Sequence, residues 1–73
     1  MKGEYTAVVK KDGRWWIGWV AEVPGANAQE RTREKLLESL REALTDMLEW
    51  NRSQAIQSAK KDLKTFEEVA LVL

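Results

Sequence analysis

Two short runs rich in β-branched and aromatic residues, 5–9 and 15–23, flank Asp12-Gly13, and beyond Pro24-Gly25 the apolar periodicity lengthens to that of a helix. This order constrains the chain more than any other feature. Asp12-Gly13 supplies residues suited to the positive φ of a two-residue hairpin turn, so the first 23 residues predict a β-hairpin. With Asp12-Gly13 as the turn, Val9 faces Trp16, Ala7 faces Gly18 and Tyr5 faces Val20. Val8 with Ile17 and Thr6 with Trp19 then line the opposite face.

Both faces of such a hairpin are apolar. The first carries the small residues Ala7 and Gly18, which let a helix approach closely, and the second carries Trp15, Ile17, Trp19, Ala21 and Val23. One helix cannot cover both, so Trp15, Ile17 and Trp19 are candidates for self-association.

Pro24-Gly25 ends the second run, and the polar stretch 27–31 suits an edge strand leading to Thr32, a helix-capping residue. Lys35 at the third helical position means that no full capping box forms. From Arg33 onward Leu36, Leu37, Leu40, Ala43, Leu44, Met47 and Leu48 recur at steps of three and four, the apolar stripe of an amphipathic helix. Continued as one straight helix, the pattern would put Asn51 and Ser58 on that stripe and Ile56 opposite it, so a break or bend is expected at Asn51-Arg52-Ser53. Ser53 can cap a second short helix in which Ile56, Ala59 and Leu63 share a face. A last strand from residue 66 or 67 to 73 is expected, because Val69-Ala70-Leu71-Val72-Leu73 is continuously apolar and asks for burial on both sides. The fold class is α+β: a three-stranded antiparallel sheet, a helix, room for a second short helix and a final strand, β-β-β-α-(α)-β, in one domain spanning 1–73.

The chain has 73 residues, and at that length hydrophobic burial only just exceeds an ordering entropy of roughly 1.5 kcal/mol per residue. It contains no cysteine and no histidine, which removes disulfides and the two best transition-metal ligands, so oligomerisation is the expected support. Twelve basic residues balance twelve acidic ones, without the excess that counterion-release binding to nucleic acid uses. No apolar run approaches the roughly 20 residues that span a bilayer, and the N-terminus does not read as a signal peptide. A cytoplasmic protein without direct nucleic-acid or membrane binding is the expectation.

Nucleophilic catalysis needs an activated side chain beside a base. Without His or Cys the candidates are Ser39, Ser53, Ser58, the threonines and the lysines, none in a recognisable nucleophile context, and caps and surface groups describe them better. No enzyme activity and no cofactor are expected. Glu34, Glu38, Glu42, Asp46 and Glu49 fall within roughly 120° of arc at 100° per helical residue. This acidic ridge suits a basic docking partner or a divalent cation, although solvated charges also belong opposite a leucine stripe. Five acids along one convex helix do not converge as a two-metal site requires. Three of the four tryptophans cluster in the second run, yet only Lys10, Lys11 and Arg14 gather near them, too few to track a nucleic-acid backbone.

Tyr5-Thr6-Ala7-Val8-Val9, Asp12-Gly13, the run 15–20, Val23-Pro24-Gly25, Gln29, Thr32, Glu34 and Leu37 together resemble the HicB family of type II antitoxins. The resemblance covers nearly the whole chain and is sharpest over 5–44. It implies a partial ribonuclease-H-like domain without nuclease residues, which binds a small HicA-type messenger-RNA-cleaving toxin and covers its active site. The chain departs from the family pattern at Glu30, where Gly is frequent, at Ser39, where Asn is frequent, and at Ala26, where Cys or Val is common. Many members add a C-terminal DNA-binding segment, and with the chain ending at Leu73 operator binding is not expected. Short solitary members without an established toxin also resemble it, so a homo-oligomeric structural or regulatory role is the alternative.

Overall fold

A computed structural model describes residues 4–61 and 64–72. Three strands, β1 (Ala7–Asp12), β2 (Trp15–Val20) and β3 (Asn27–Glu30), precede one helix, α1 (Arg33–Lys60). The strands form an antiparallel sheet in the order β1-β2-β3. The protein is therefore of the α+β class.

The hairpin forms with a different turn from the expected one. Asp12 pairs with Trp15, so Gly13 and Arg14 are the two turn residues. Gly13 alone has positive φ, +63°, as in a type II′ turn, and Asp12 stays in the strand. Val9 consequently opposes Gly18 rather than Trp16, Ala7 opposes Val20, and Val8 opposes Trp19. The slip is two residues, an even number, so every side chain keeps its expected face.

Beyond Val20 the expected continuation of the strand to Val23 does not form. Val20 N–H donates to the Ala26 carbonyl at 2.8 Å, and Val23 N–H and Ala26 N–H donate to Val20 and Val23 carbonyls. This compact loop rotates Val23 off the open face. Val20, Val23 and Ala26 form a buried cluster against Ala43, Leu44 and Met47. The expected β3 then runs back beside β2, Gly18 opposite Ala28.

Helix α1 begins as expected. Thr32 is extended (φ −129°, ψ 158°), and its hydroxyl accepts from Lys35 N–H at 3.1 Å. Such a cap contributes about 1 kcal/mol. The helix packs over β3 and β2 and only grazes β1. Leu36 and Leu40 are fully or almost fully buried above Gly18, where a Cβ would lie 3.2 Å from a terminal methyl of each. Burial on that scale contributes ~1.5–3 kcal/mol per leucine.

Two expectations fail in the C-terminal third. Asn51, Arg52 and Ser53 do not break the helix, and Ser53 caps nothing: 28 residues run unbroken to Lys60, with Ile56 and Ala59 half-buried. No glycine or proline lies within that stretch, and exposed polar residues of ordinary propensity keep a formed helix going at small cost. Leu63, expected on a second helix, lies outside the described residues. The final strand is also not formed: residues 65–72 are irregular and pair with no strand, and Leu73 is outside the described residues. Among the described residues, an exposed Arg52–Glu68 ion pair (3.2 Å) ties the tail to the helix.

Candidate functional site

The sheet has one face under the helix and one without cover. Strand alternation puts Trp16, Gly18 and Val20 toward α1, and Val8, Trp15, Ile17 and Trp19 on the opposite side. Trp15 is 37% and Trp19 42% exposed, while Ile17 and Val8 between them are half-buried. The three residues expected to promote self-association thus share one open apolar face. Val23, expected there, is in the core, and Ala21 lies in the loop beyond the strand. Arg31 is an addition that sequence pattern did not single out: its guanidinium carbon stands 4.7 Å from the Trp15 ring centroid. Such a pair contributes about 0.5–1 kcal/mol when exposed and supplies a cationic rim to the patch.

The acidic residues form a second surface. Because α1 is continuous from Arg33 to Lys60, Glu34, Glu38, Glu42, Asp46 and Glu49 occupy one exposed side over roughly 22 Å at 1.5 Å rise per residue. Among the described residues none of the five makes an ion pair. No group of three acidic side chains among the described residues is placed to hold a metal ion. The ridge is therefore a linear field of negative charge rather than a chelating pocket.

A third feature lies where helix and sheet diverge. Because α1 sits over β2 and β3, it leaves a groove of about 190 Å³ beside β1, lined by Tyr5, Ala7, Val20, Leu37, Leu40, Leu44 and, at its rim, Arg41. The small side chain of Ala7 signalled close helix approach, but the helix passes to one side and the position is open.

Among the described residues, the one titratable group with a displaced pKa serves the hairpin, not a site. Thr6 N–H donates to Glu22 Oε1 at 2.7 Å, and the Thr6 carbonyl accepts from Ala21 N–H at 2.9 Å. The hydrogen bonds from Thr6 hold the Glu22 carboxyl below its ordinary value of 4.5. Among the described residues no helix is long and apolar enough to cross a membrane.

No family model, no curated protein and no solved structure matches the chain.

Proposed function

We propose that this chain acts by binding a protein, and that its partner is a small RNA-cleaving toxin of the HicA type, neutralised by steric occlusion. The observation that carries this reading is the acidic side of α1. A nuclease that grips RNA presents Lys and Arg, and five exposed carboxylates along one helix face, without an ion pair among the described residues, are complementary to that surface. The sheet and helix follow in the order that the resemblance implies, although the further strand it also implies is not formed among the described residues. Charge of this kind acts chiefly on the rate of encounter, and it weakens with salt.

Co-expression with the small reading frame encoded beside this one, pull-down, and rescue of growth arrest test the proposal. A stable complex with rescue supports it; recovery of the chain with no toxic neighbour removes it. Replacing Glu38 and Glu42 by Lys should slow association at least about tenfold at low salt. Unchanged association would take the ridge out of the interface.

The open face formed by Trp15, Ile17 and Trp19 favours a second reading, a homo-oligomeric structural or regulatory protein. Two aromatic side chains more than a third exposed on one face of the sheet are suited to an apolar contact. An oligomer insensitive to salt, with no heterologous partner, would select it.

A further inference from the structure

We propose that two copies of this chain pair through their open sheet faces about a two-fold axis parallel to β2, with Asp12 of each copy set against Arg31 of the other. This pairing rests on the reading of that face as a self-association surface. Burial on the helix side is modest: among the described residues the buried hydrophobic side chains are Val20, Val23, Ala26, Leu36 and Leu40, which belong to α1 or pack with it. Trp15 and Trp19 stay more than a third exposed on the other side, in a domain small enough to gain from added burial.

The strand register lays the open face out in three rows. Asp12, Trp15 and Arg31 make the first, since Asp12 pairs with Trp15 and Arg31 stands over the Trp15 ring. Lys10, Ile17 and Gln29 make the second, and Val8, Trp19 and Asn27 the third. Each row crosses the sheet from β1 through β2 to the β3 side. The anion and the cation of the first row therefore lie on opposite edges with Trp15 between them. Both are exposed, and neither makes an ion pair among the described residues.

A contact between identical faces requires a patch complementary to itself, and this one is. Rotation about an axis along β2 exchanges the two edges and keeps the rows. Trp15, Ile17 and Trp19 each meet their own counterpart, Arg31 meets Asp12, and Lys10 meets the Gln29 amide. Rotation about the axis across the strands keeps the edges and reverses the rows, which sets Lys10 against Lys10 and Asp12 against Val8. Charge thus selects the first arrangement and names a second copy as the occupant. Packed sheets lie ~10 Å apart with their strands within about 30°, a gap that facing tryptophans fill. Arg31, held over its own Trp15, keeps N–H groups for the facing carboxylate, and a pair shielded there is little screened by salt. Three short strands make a contact at the small end of specific interfaces, so the dimer is reversible. Both helices lie outside the paired sheets, and each copy keeps its acidic ridge free for a basic partner.

A charge swap gives the test. Sedimentation equilibrium from micromolar to millimolar concentration compares the parent chain with Asp12→Arg, with Arg31→Asp and with the variant carrying both. The parent should dimerise. Each single reversal sets like charges together at both symmetry-related edges and should weaken dimerisation at least about tenfold. The double variant restores opposite charges and should return the dimer to within about threefold of the parent. Circular dichroism should show the same helix content in every variant, because both side chains are exposed. A dimer indifferent to the single reversals, or not recovered in the double variant, would overturn the two-fold arrangement; where Trp19→Glu still dissociates that dimer, the open face remains the contact. A parent that stays monomeric throughout would overturn the arrangement together with the self-association reading on which it rests.

Discussion

Ser39 Oγ donates a 2.6 Å hydrogen bond to Glu30 Oε2, joining the end of β3 to the second turn of α1. A glycine at position 30 could not accept the bond. The distance is that of a hydroxyl on a charged acceptor, and the pair is partly buried under the helix. A double-mutant cycle with Glu30→Gln and Ser39→Ala should return a coupling energy of about 1 kcal/mol by urea denaturation. Additive effects would mean that the two side chains are energetically independent.

Gly18 sets the distance between helix and sheet. A Cβ there would lie 2.7 Å from the Val8 carbonyl oxygen, which is backbone and cannot turn aside, and 3.2 Å from methyls of Leu36 and Leu40. Gly18→Ala should therefore destabilise the domain by ~1–3 kcal/mol through overpacking, despite the better strand propensity of alanine. The denaturation midpoint measures it, and an unchanged midpoint would show that the helix can lift at no cost.

Glu22 links the loop after β2 to the residue before β1. Its folded pKa is lowered by the Thr6 hydrogen bonds, so the folded state favours the ionised carboxylate. Such a group contributes its stabilisation above the unfolded pKa and loses it as pH falls through the lower folded value. Against Glu22→Gln, the parent should be the more stable at pH 7, and the difference should fade between the ordinary value of 4.5 and the lower folded pKa. A difference that persists in full at about pH 2, beyond the carboxylate range, would assign the effect to packing instead.

The fold was legible where local chemistry and burial agree. Thr32 caps the helix, Leu36 and Leu40 carry its buried stripe, and Gly18 faces them, all as residue type and period imply. The turn was misplaced because Asp12-Gly13 and Gly13-Arg14 both offer a two-residue loop, and the second needs positive φ only at the glycine. Val23 was assigned to the open face because strand alternation was carried past Val20, where the Val20–Ala26 hydrogen bond in fact closes a loop. The helix break was inferred from loss of amphipathicity, but periodicity records which side is covered and not whether backbone hydrogen bonds continue. The tail reads as a strand, and among the described residues no strand pairs with it. Of the interaction surfaces, the acidic ridge and the Trp15–Ile17–Trp19 face follow directly from helical and strand periods. The groove beside β1 does not, because it depends on which strands the helix chooses to cover.

Self-association through the open sheet face is tested by one substitution. Trp19 is 42% exposed and points away from α1, so Trp19→Glu leaves the buried cluster of Val20, Val23 and Ala26 untouched and should alter stability of the single chain by less than about 1 kcal/mol. Placed on an apolar contact, the same carboxylate would have to be desolvated opposite apolar side chains, which is strongly unfavourable. An assembly built on this face should therefore dissociate. Sedimentation equilibrium of the parent chain and of Trp19→Glu measures the change. If Trp19→Glu leaves the size distribution unchanged, Trp15, Ile17 and Trp19 do not mediate self-association, and their open face is free for a heterologous partner.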